Sequence, residues 1–566
     1  MAEDMTKNNS NDCKVLVIGL DGATLDLIKP WCDQGELPTF SRLMKSGAWG
    51  ELSAQLPPNS VPNWPSFATG KNPGKHGVIW WTKETNNRIE LVNSRSIKGK
   101  TTWEILSDRG KRVAVVGVPV TYPPQKINGV MVTGLLTPPS VDDFTYPPEL
   151  KAELDKQVGG YRIQNKAIFR RGGEEAFLKD WLDVFERQIN ACIYLLQTRS
   201  WDLFTVVFSI TDMIQHKFWK YMDPEHPAYK PEEAKLFGDA ILRVYRAADK
   251  AVDALMNQAG EDSHVIIMSD HGFGTYHQAF FTNNWLLQQG FLNIRRSFSS
   301  VVRYSLYRMG ITVNNIYPFV NTGLSLLRGN KLREQISPKG KSRGLLFKFF
   351  LSENDIDWTR TKAYAVGDFG QFYVNLRGKF PHGIVEPGKE YEDVRDEILR
   401  RLETLSIPAT GKPYLKKGYK KEELYHGPEL DQLPDIVCEP TDMRYVDTGM
   451  GFMSNKLFDN VSIISGNHNL KGILFLRGKD IQEGVQINGA NIIDIAPTIL
   501  YLLEEPVPDD MDGRVLEQCL KKERLIKQPI QIEESQIFTS REAERILSRE
   551  EEELIKDRLR DLGYIS

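Results

Sequence analysis

The sequence predicts an α/β fold: a mostly parallel central sheet flanked by helices, interrupted by an inserted, largely helical segment. Three observations lead there. Short continuous apolar runs, such as Val15-Leu-Val-Ile-Gly-Leu20 and His264-Val-Ile-Ile-Met268, have the composition of strands buried on both faces. These runs alternate with stretches of helical periodicity, the pattern of βα units. From about residue 286 to 352 the alternation stops, and basic and aromatic residues such as Arg295, Arg303, Tyr304 and Arg308 accumulate.

In chain order, residues 1–13 are polar and read as disordered, and 14–285 form the first part of a core. Within it, Lys14–Leu20 is a strand, Ala23–Lys29 and Leu37–Lys45 are helical, and Gly47–Gln55 is a strand. Thr101–Arg109 is a helix and Arg112–Val118 a strand. Residues 123–160, with Pro-Pro pairs at 123–124, 138–139 and 147–148, read as loop. Glu174–Thr198 and Pro231–Gln258 are long helical stretches around a strand at Trp201–Ile210. Residues 286–352 are the inserted cap. The core resumes over 353–516, with strands at 461–464 and Gly472–Leu476 and a buried helix over Ile492–Leu503. Residues 517–566 form a charged tail ending in a helix over Glu542–Leu562.

The chain has 566 residues, with 72 basic against 75 acidic side chains, so its total charge points to neither nucleic acid nor a membrane surface as main partner. Five scattered cysteines without CxxC spacing fit thiols in a reducing compartment. There is no secretory signal pattern and no run of about 18 apolar residues. The expected location is the cytoplasm, with no transmembrane segment.

Ser60 follows a Pro-rich turn and stands where a helix N-cap would stand, with Pro62 tolerated in the first turn. A helix N-terminus offers free N–H groups and partial positive charge to an anion. A serine there is placed to attack phosphorus if its proton can be removed. Taken alone, Ser60 is a cap.

Four other stretches change that reading. Asp21, Asp212, Asp270-His271 and His468 each follow an apolar run, and ligand sites in open α/β sheets lie beyond the carboxyl ends of strands. Asp212 and His216, four apart, share one helix face if a helix starts at Thr211. Mixed Asp/His ligands suit zinc, manganese or iron better than calcium or magnesium, and zinc is expected first. They are too many for one tetrahedral ion; two divalent metal ions fit them. His76, His226, His264, His277, His382 and His426 lack this context and read as structural, with His277 a weaker substrate-side candidate.

These residues together resemble the alkaline phosphatase superfamily, in its type I phosphodiesterase / nucleotide pyrophosphatase branch. The matching pieces are Gly19-Leu-Asp21-Gly22, Ser60-Val-Pro-Asn63 through Thr69-Gly70 to His76-Gly77, Asp212…His216, Ser269-Asp270-His271-Gly272 and Gly466-Asn-His468. The resemblance implies an alkaline-phosphatase-like core with Ser60 as nucleophile. It implies one metal on Asp212, His216 and His468, and another on Asp21, Asp270, His271 and Ser60. It also implies that Asn63 holds a phosphoryl oxygen through its amide; an amide in place of a cation favours diesters. The implied activity is a metal-dependent phosphodiesterase or pyrophosphatase with a phospho-serine intermediate and a small phosphate ester as substrate. A phosphomutase or phospho-substituent transferase would use the same residues. A protein that only binds a phosphorylated ligand is the non-enzyme alternative. The Cys/Ser-x-Pro-x-Arg stretch of sulfatases is not matched at Ser60-Val-Pro-Asn-Trp64. Trp64, Trp80 and Trp81 are candidates for stacking on a substrate or for core packing.

Overall fold

The computed structural model describes residues 13–85, 88–316, 349–449, 451–460, 464–535 and 547–562. The expected disorder over 1–13 falls outside them but for Cys13. The expected strand at 461–464 falls outside but for Ile464, as does most of the second half of the cap.

Nine strands form the central sheet: β1 (Val15–Leu20), β2 (Ala48–Ser53), β3 (Val113–Val116), β4 (Gly129–Val132), β5 (Thr145–Tyr146), β6 (Leu203–Phe208), β7 (His264–Met268), β8 (Lys471–Arg477) and β9 (Val485–Asn491). Their order is β9-β2-β8-β7-β1-β6-β3-β4-β5. β1 runs parallel to β6 and β7, with Leu20 opposite Phe208 and Gly19 opposite Met268. The carboxyl ends of three neighbouring strands therefore reach one edge together. β8 runs antiparallel to β7, with Leu474 opposite Met268, so its amino end arrives at that same edge.

The apolar runs become strands because both faces are covered: every residue of β1, β6 and β7 is buried. One cluster packs Trp64 and Phe67 of the Ser60 helix with Trp103, Leu106, Ile495, Ile499 and Leu500 against the sheet. Gly19 has a local reason: a Cβ there would lie 2.6 Å from the Trp64 ring. The glycine leaves the indole room under the strand end. Trp64, Trp80 and Trp81 are all buried, and the Trp64 indole donates to Asp21 Oδ2 at 3.3 Å.

The structure corrects several element assignments. The stretch 123–160 is not only loop: β4, β5 and a helix over Leu150–Val158 lie in it. Pro231–Gln258 is two helices, Pro231–Phe237 and Ala240–Ala259, separated at Gly238-Asp239. The terminal helix, Arg549–Leu562, buries Ile555 and Leu559, and Arg558 donates to the Asn165 carbonyl at 2.7 Å. It is docked by an apolar edge.

The chain divides into two compact units: residues 1–275 with 426–431 and 465–562, and residues 276–425 with 432–464. The expected 286–352 insertion is therefore smaller than the second unit. That unit has its own four-stranded antiparallel sheet, which includes Ala363–Ala365, Phe372–Val374 and Ile436–Pro440. The helices Thr282–Gln288 and Phe298–Arg308 share a core with these strands, through Trp285, Tyr307, Phe372 and Ile436. All five cysteines are free, and no described helix is long and apolar enough to cross a membrane.

Candidate active site

The sheet edge described above collects seven predicted residues in the first unit. Asp21 follows β1 directly, and Asp270 and His271 follow β7. Asp212 and His216 lie one turn apart on the helix Ile210–Met222, which starts just after β6. His468 arrives differently from the expectation. It sits on the short strand Gly466–Asn469, antiparallel to Gly272–Thr275, just before β8. It reaches the edge because β8 is antiparallel.

Ser60 is not the cap of its helix. Asn59 is the N-cap, accepting from the Val61 N–H at 3.1 Å, and Ser60 is the first helical residue. The shift frees the serine hydroxyl: Ser60 Oγ lies 3.1 Å from His271 Nε2 and 3.3 Å from Asp21 Oδ1. The whole helix from Ser60 to Thr69 is buried.

Two groups of three side chains could each hold an ion: Asp212, His216, His468 and Asp21, Asp270, His271, all buried. In the first, Asp212 Oδ1 lies 3.3 Å from His216 Nε2 and 3.2 Å from His468 Nε2, and the two Nε2 atoms are 2.9 Å apart. Each ring's other nitrogen meets a carbonyl: His216 Nδ1 at Gly466 O, 2.9 Å, and His468 Nδ1 at Pro58 O, 3.0 Å. A neutral imidazole that donates through Nδ1 presents a lone pair at Nε2. Both rings thus turn Nε2 toward Asp212 Oδ1, a donor set that a metal cation takes.

The second group follows the same plan. His271 Nδ1 meets the Gly272 carbonyl at 2.9 Å, and its Nε2 lies 3.4 Å from Asp270 Oδ2 and 3.6 Å from Asp21 Oδ1. The His271 and His468 rings stack at 3.8 Å, so the two groups are neighbours.

Electrostatics agree with the geometry. Burial, with Asp270 and Asp212 nearby, pushes the Asp21 carboxyl well above its usual range. Burial and the Asp212 charge push Asp270 up as well. Burial also acts to raise Asp212, but His216 and His468 outweigh it and hold that carboxyl well below its usual range. Burial and His468 lower His271 to about 4, and burial lowers His468. The shifts of His271 and His468 favour the neutral imidazole that metal ligation requires, and the raised Asp21 and Asp270 carboxyls mark a site short of positive charge.

Asn63 departs from the role the resemblance implies. Its Oδ1 accepts from the Gln55 N–H at 2.7 Å, and its Nδ2 donates to the Asn59 and Pro57 carbonyls at 2.9 and 3.1 Å. The amide is engaged in the loop that leads to Ser60.

Supporting residues escaped the sequence reading. Gln215 donates to the Gly22 carbonyl at 2.8 Å and accepts from Tyr245 at 3.0 Å; Thr211 Oγ1 donates to the Asp21 carbonyl at 2.5 Å. These bonds tie the Asp212 helix to the Asp21 turn. Phe273 packs on the His216 ring at 4.7 Å and on His468 at 5.6 Å. Gly22 has φ +66°, and a Cβ there would stand 3.3 Å from Asp212 Oδ1, so only glycine leaves the site open. Of these, only Gly22, next to Asp21, carried a sequence signal. Of the remaining described histidines in this unit, His264 pairs with Asp480 at 3.0 Å and His426 with Asp512 at 2.9 Å. His76 bonds Ser66 at 2.9 Å, and His226 Nδ1 accepts from the Ala228 N–H at 3.0 Å. In the second unit, His277 packs edge-on against Tyr445, with centroids 5.8 Å apart.

The sequence profile of type I phosphodiesterase / nucleotide pyrophosphatase matches residues 15–451. Among solved structures, phosphonoacetate hydrolase from Sinorhizobium meliloti 1021, in complex with phosphonoacetate, is similar at 13% identity. That match covers 87% of this chain and 95% of the other, with a TM-score of 0.50. Murine ectonucleotide pyrophosphatase / phosphodiesterase 5, an inactive variant in complex with AMP, matches at 15% identity over 87% and 96% of the two chains, TM-score 0.48. Its human counterpart matches at 13% over 91% and 99%, TM-score 0.47. No curated protein matches the chain. At its identity the phosphonoacetate hydrolase match establishes the shared fold and nothing finer.

Proposed function

We propose, because the chain belongs to the type I phosphodiesterase / nucleotide pyrophosphatase family and is a hydrolase of phosphoric esters, that it cleaves phosphodiesters through a covalent phosphate on Ser60. The observation that carries this is the placement of Ser60 Oγ, at the head of a buried helix, against the acceptors Asp21 and His271.

Asp212, His216 and His468 would hold one divalent cation, and Asp21, Asp270, His271 and the Ser60 oxygen a second. When bound, such cations supply positive charge and Lewis acidity at the phosphoryl group. The donor set of three imidazoles and three carboxylates suits zinc first, with manganese and iron also compatible.

The chain's own groups do the rest. Ser60 Oγ attacks phosphorus as its proton leaves to water, and the bond to the ester's leaving oxygen breaks, that oxygen taking up a proton from water. Water then attacks the phospho-serine, the P–Oγ bond breaks, and Ser60 recovers a proton. The helix N-terminus stabilises the phosphoryl oxygens through both steps. Membership of the type I phosphodiesterase / nucleotide pyrophosphatase family supports a diester as substrate. The five free thiols support a reducing compartment such as the cytoplasm.

Hydrolysis of bis-p-nitrophenyl phosphate and p-nitrophenyl phosphate tests this. Wild type should prefer the diester, and Ser60→Ala should lose on the order of 10³-fold or more in kcat while keeping its metal. A Ser60→Ala enzyme with wild-type turnover, or a clear monoester preference, contradicts the reading.

A further inference from the structure

The near-balance of total charge conceals a local excess. Residues 286–352 carry eleven basic side chains and one acidic one, in a chain of net charge −3. The described part of this stretch, within the second unit, contains the helix Phe298–Arg308. Its inner side is fixed: Tyr307 is buried against Phe452, Ser300 donates to Asp355 at 2.8 Å, and Arg303 pairs with the same carboxylate. Its outer side is apolar. Phe298 is 87% exposed, Val301 48%, Val302 41%, and Met309, just past the last turn, 69%. At 100° per residue these four side chains fall on one face. Arg295 and Arg296 precede this face and Arg308 flanks it, and all three are exposed.

We propose that this helix face docks the enzyme on an anionic phospholipid bilayer, with Phe298 and Met309 entering the acyl boundary and Arg296 and Arg308 meeting the headgroups. An apolar helix face with a cationic rim is the composition of an interfacial helix. Phe298 and Met309 protrude at the two ends of the helix. Protruding apolar tips suit a fluid apolar phase better than the preformed surface of a folded partner.

The test is flotation of the full-length protein with phosphatidylcholine vesicles, with and without about 30% phosphatidylglycerol. Wild type should float with the anionic vesicles, at least about tenfold more weakly with neutral ones, and be released by salt. Phe298→Ser/Met309→Ser and Arg296→Glu/Arg308→Glu should each weaken binding by about tenfold or more. Both variants change exposed residues outside the active site, so turnover of a soluble diester should be unchanged. No binding to anionic vesicles, or equal binding by the variants, overturns the proposal. A wild-type dimer that becomes monomeric in Phe298→Ser/Met309→Ser also overturns it, since the face would then belong to a second copy.

Discussion

At the residue scale, the account turns on which atoms are already engaged. Asn63 has its oxygen and its NH₂ tied to Gln55, Pro57 and Asn59. Asn63→Ala should therefore destabilise the fold by roughly 1–3 kcal/mol, because buried loop groups lose their partners. It should lower diester and monoester turnover together. Denaturation curves and the two rates check this; a change in the ratio of the rates would return Asn63 to the phosphoryl oxygen. The seven candidate positions were legible because each stood beside a strand or turn signal and three of them are among only nine histidines. The direction of the Asn63 amide was not, since an Asn four residues past another Asn serves a loop as readily as a ligand. Ser60 and Asn59 show the same limit: both residue types cap helices, and only backbone geometry separates the cap from the nucleophile.

At the scale of elements, the nucleophile helix is held by a neighbour. His76 ends the short helix Pro73–His76; its Nδ1 accepts from the Val78 N–H, so its Nε2–H faces Ser66 Oγ. Burial lowers its pKa to about 3. The unfolded chain takes up a proton below about pH 6.5, and the folded one does not. This contribution is intact above pH 6.5 and falls away as pH drops toward 3, by up to about 1.4 kcal/mol per pH unit. His76→Gln should flatten stability against pH across that window, measured by urea unfolding at several pH values. An unchanged slope would show that other groups carry the acid sensitivity. Gln215, on the Asp212 helix, links that helix to Gly22 beside the other ligand group. Gln215→Leu should weaken binding of both ions by roughly tenfold or more in chelator competition, as loss of an outer-shell partner does.

Long periodic elements were readable at this scale; Glu174–Thr198 is one helix, as its spacing predicts. Short ones were not. β4 spans four residues and β5 two, in a stretch rich in proline, and their pairing with β3 and with each other decides their structure. The break at Gly238-Asp239 was hidden because amphipathic spacing continues on both sides.

For the whole molecule, the α/β core was legible from strand composition and alternation, whereas the second unit was not. Its strands span two to six residues, and neither the pairing of Phe372–Val374 with Ile436–Pro440 nor the shared core with the inserted helices has a local signature. In the first unit, six buried candidate ligands come from residues as far apart as Asp21 and His468. Cations bound there would tie these distant stretches together in the native state. Removing them with a chelator should lower Tm, by the equivalent of about 4 kcal/mol per site at 1,000 times Kd. Restoring zinc should recover it.

The most direct measurement is the number of metal ions per chain, by elemental mass spectrometry, for wild type, Asp212→Ala and Asp270→Ala. The account predicts two in wild type and one in each variant. One or none in wild type, or two in both variants, would contradict it.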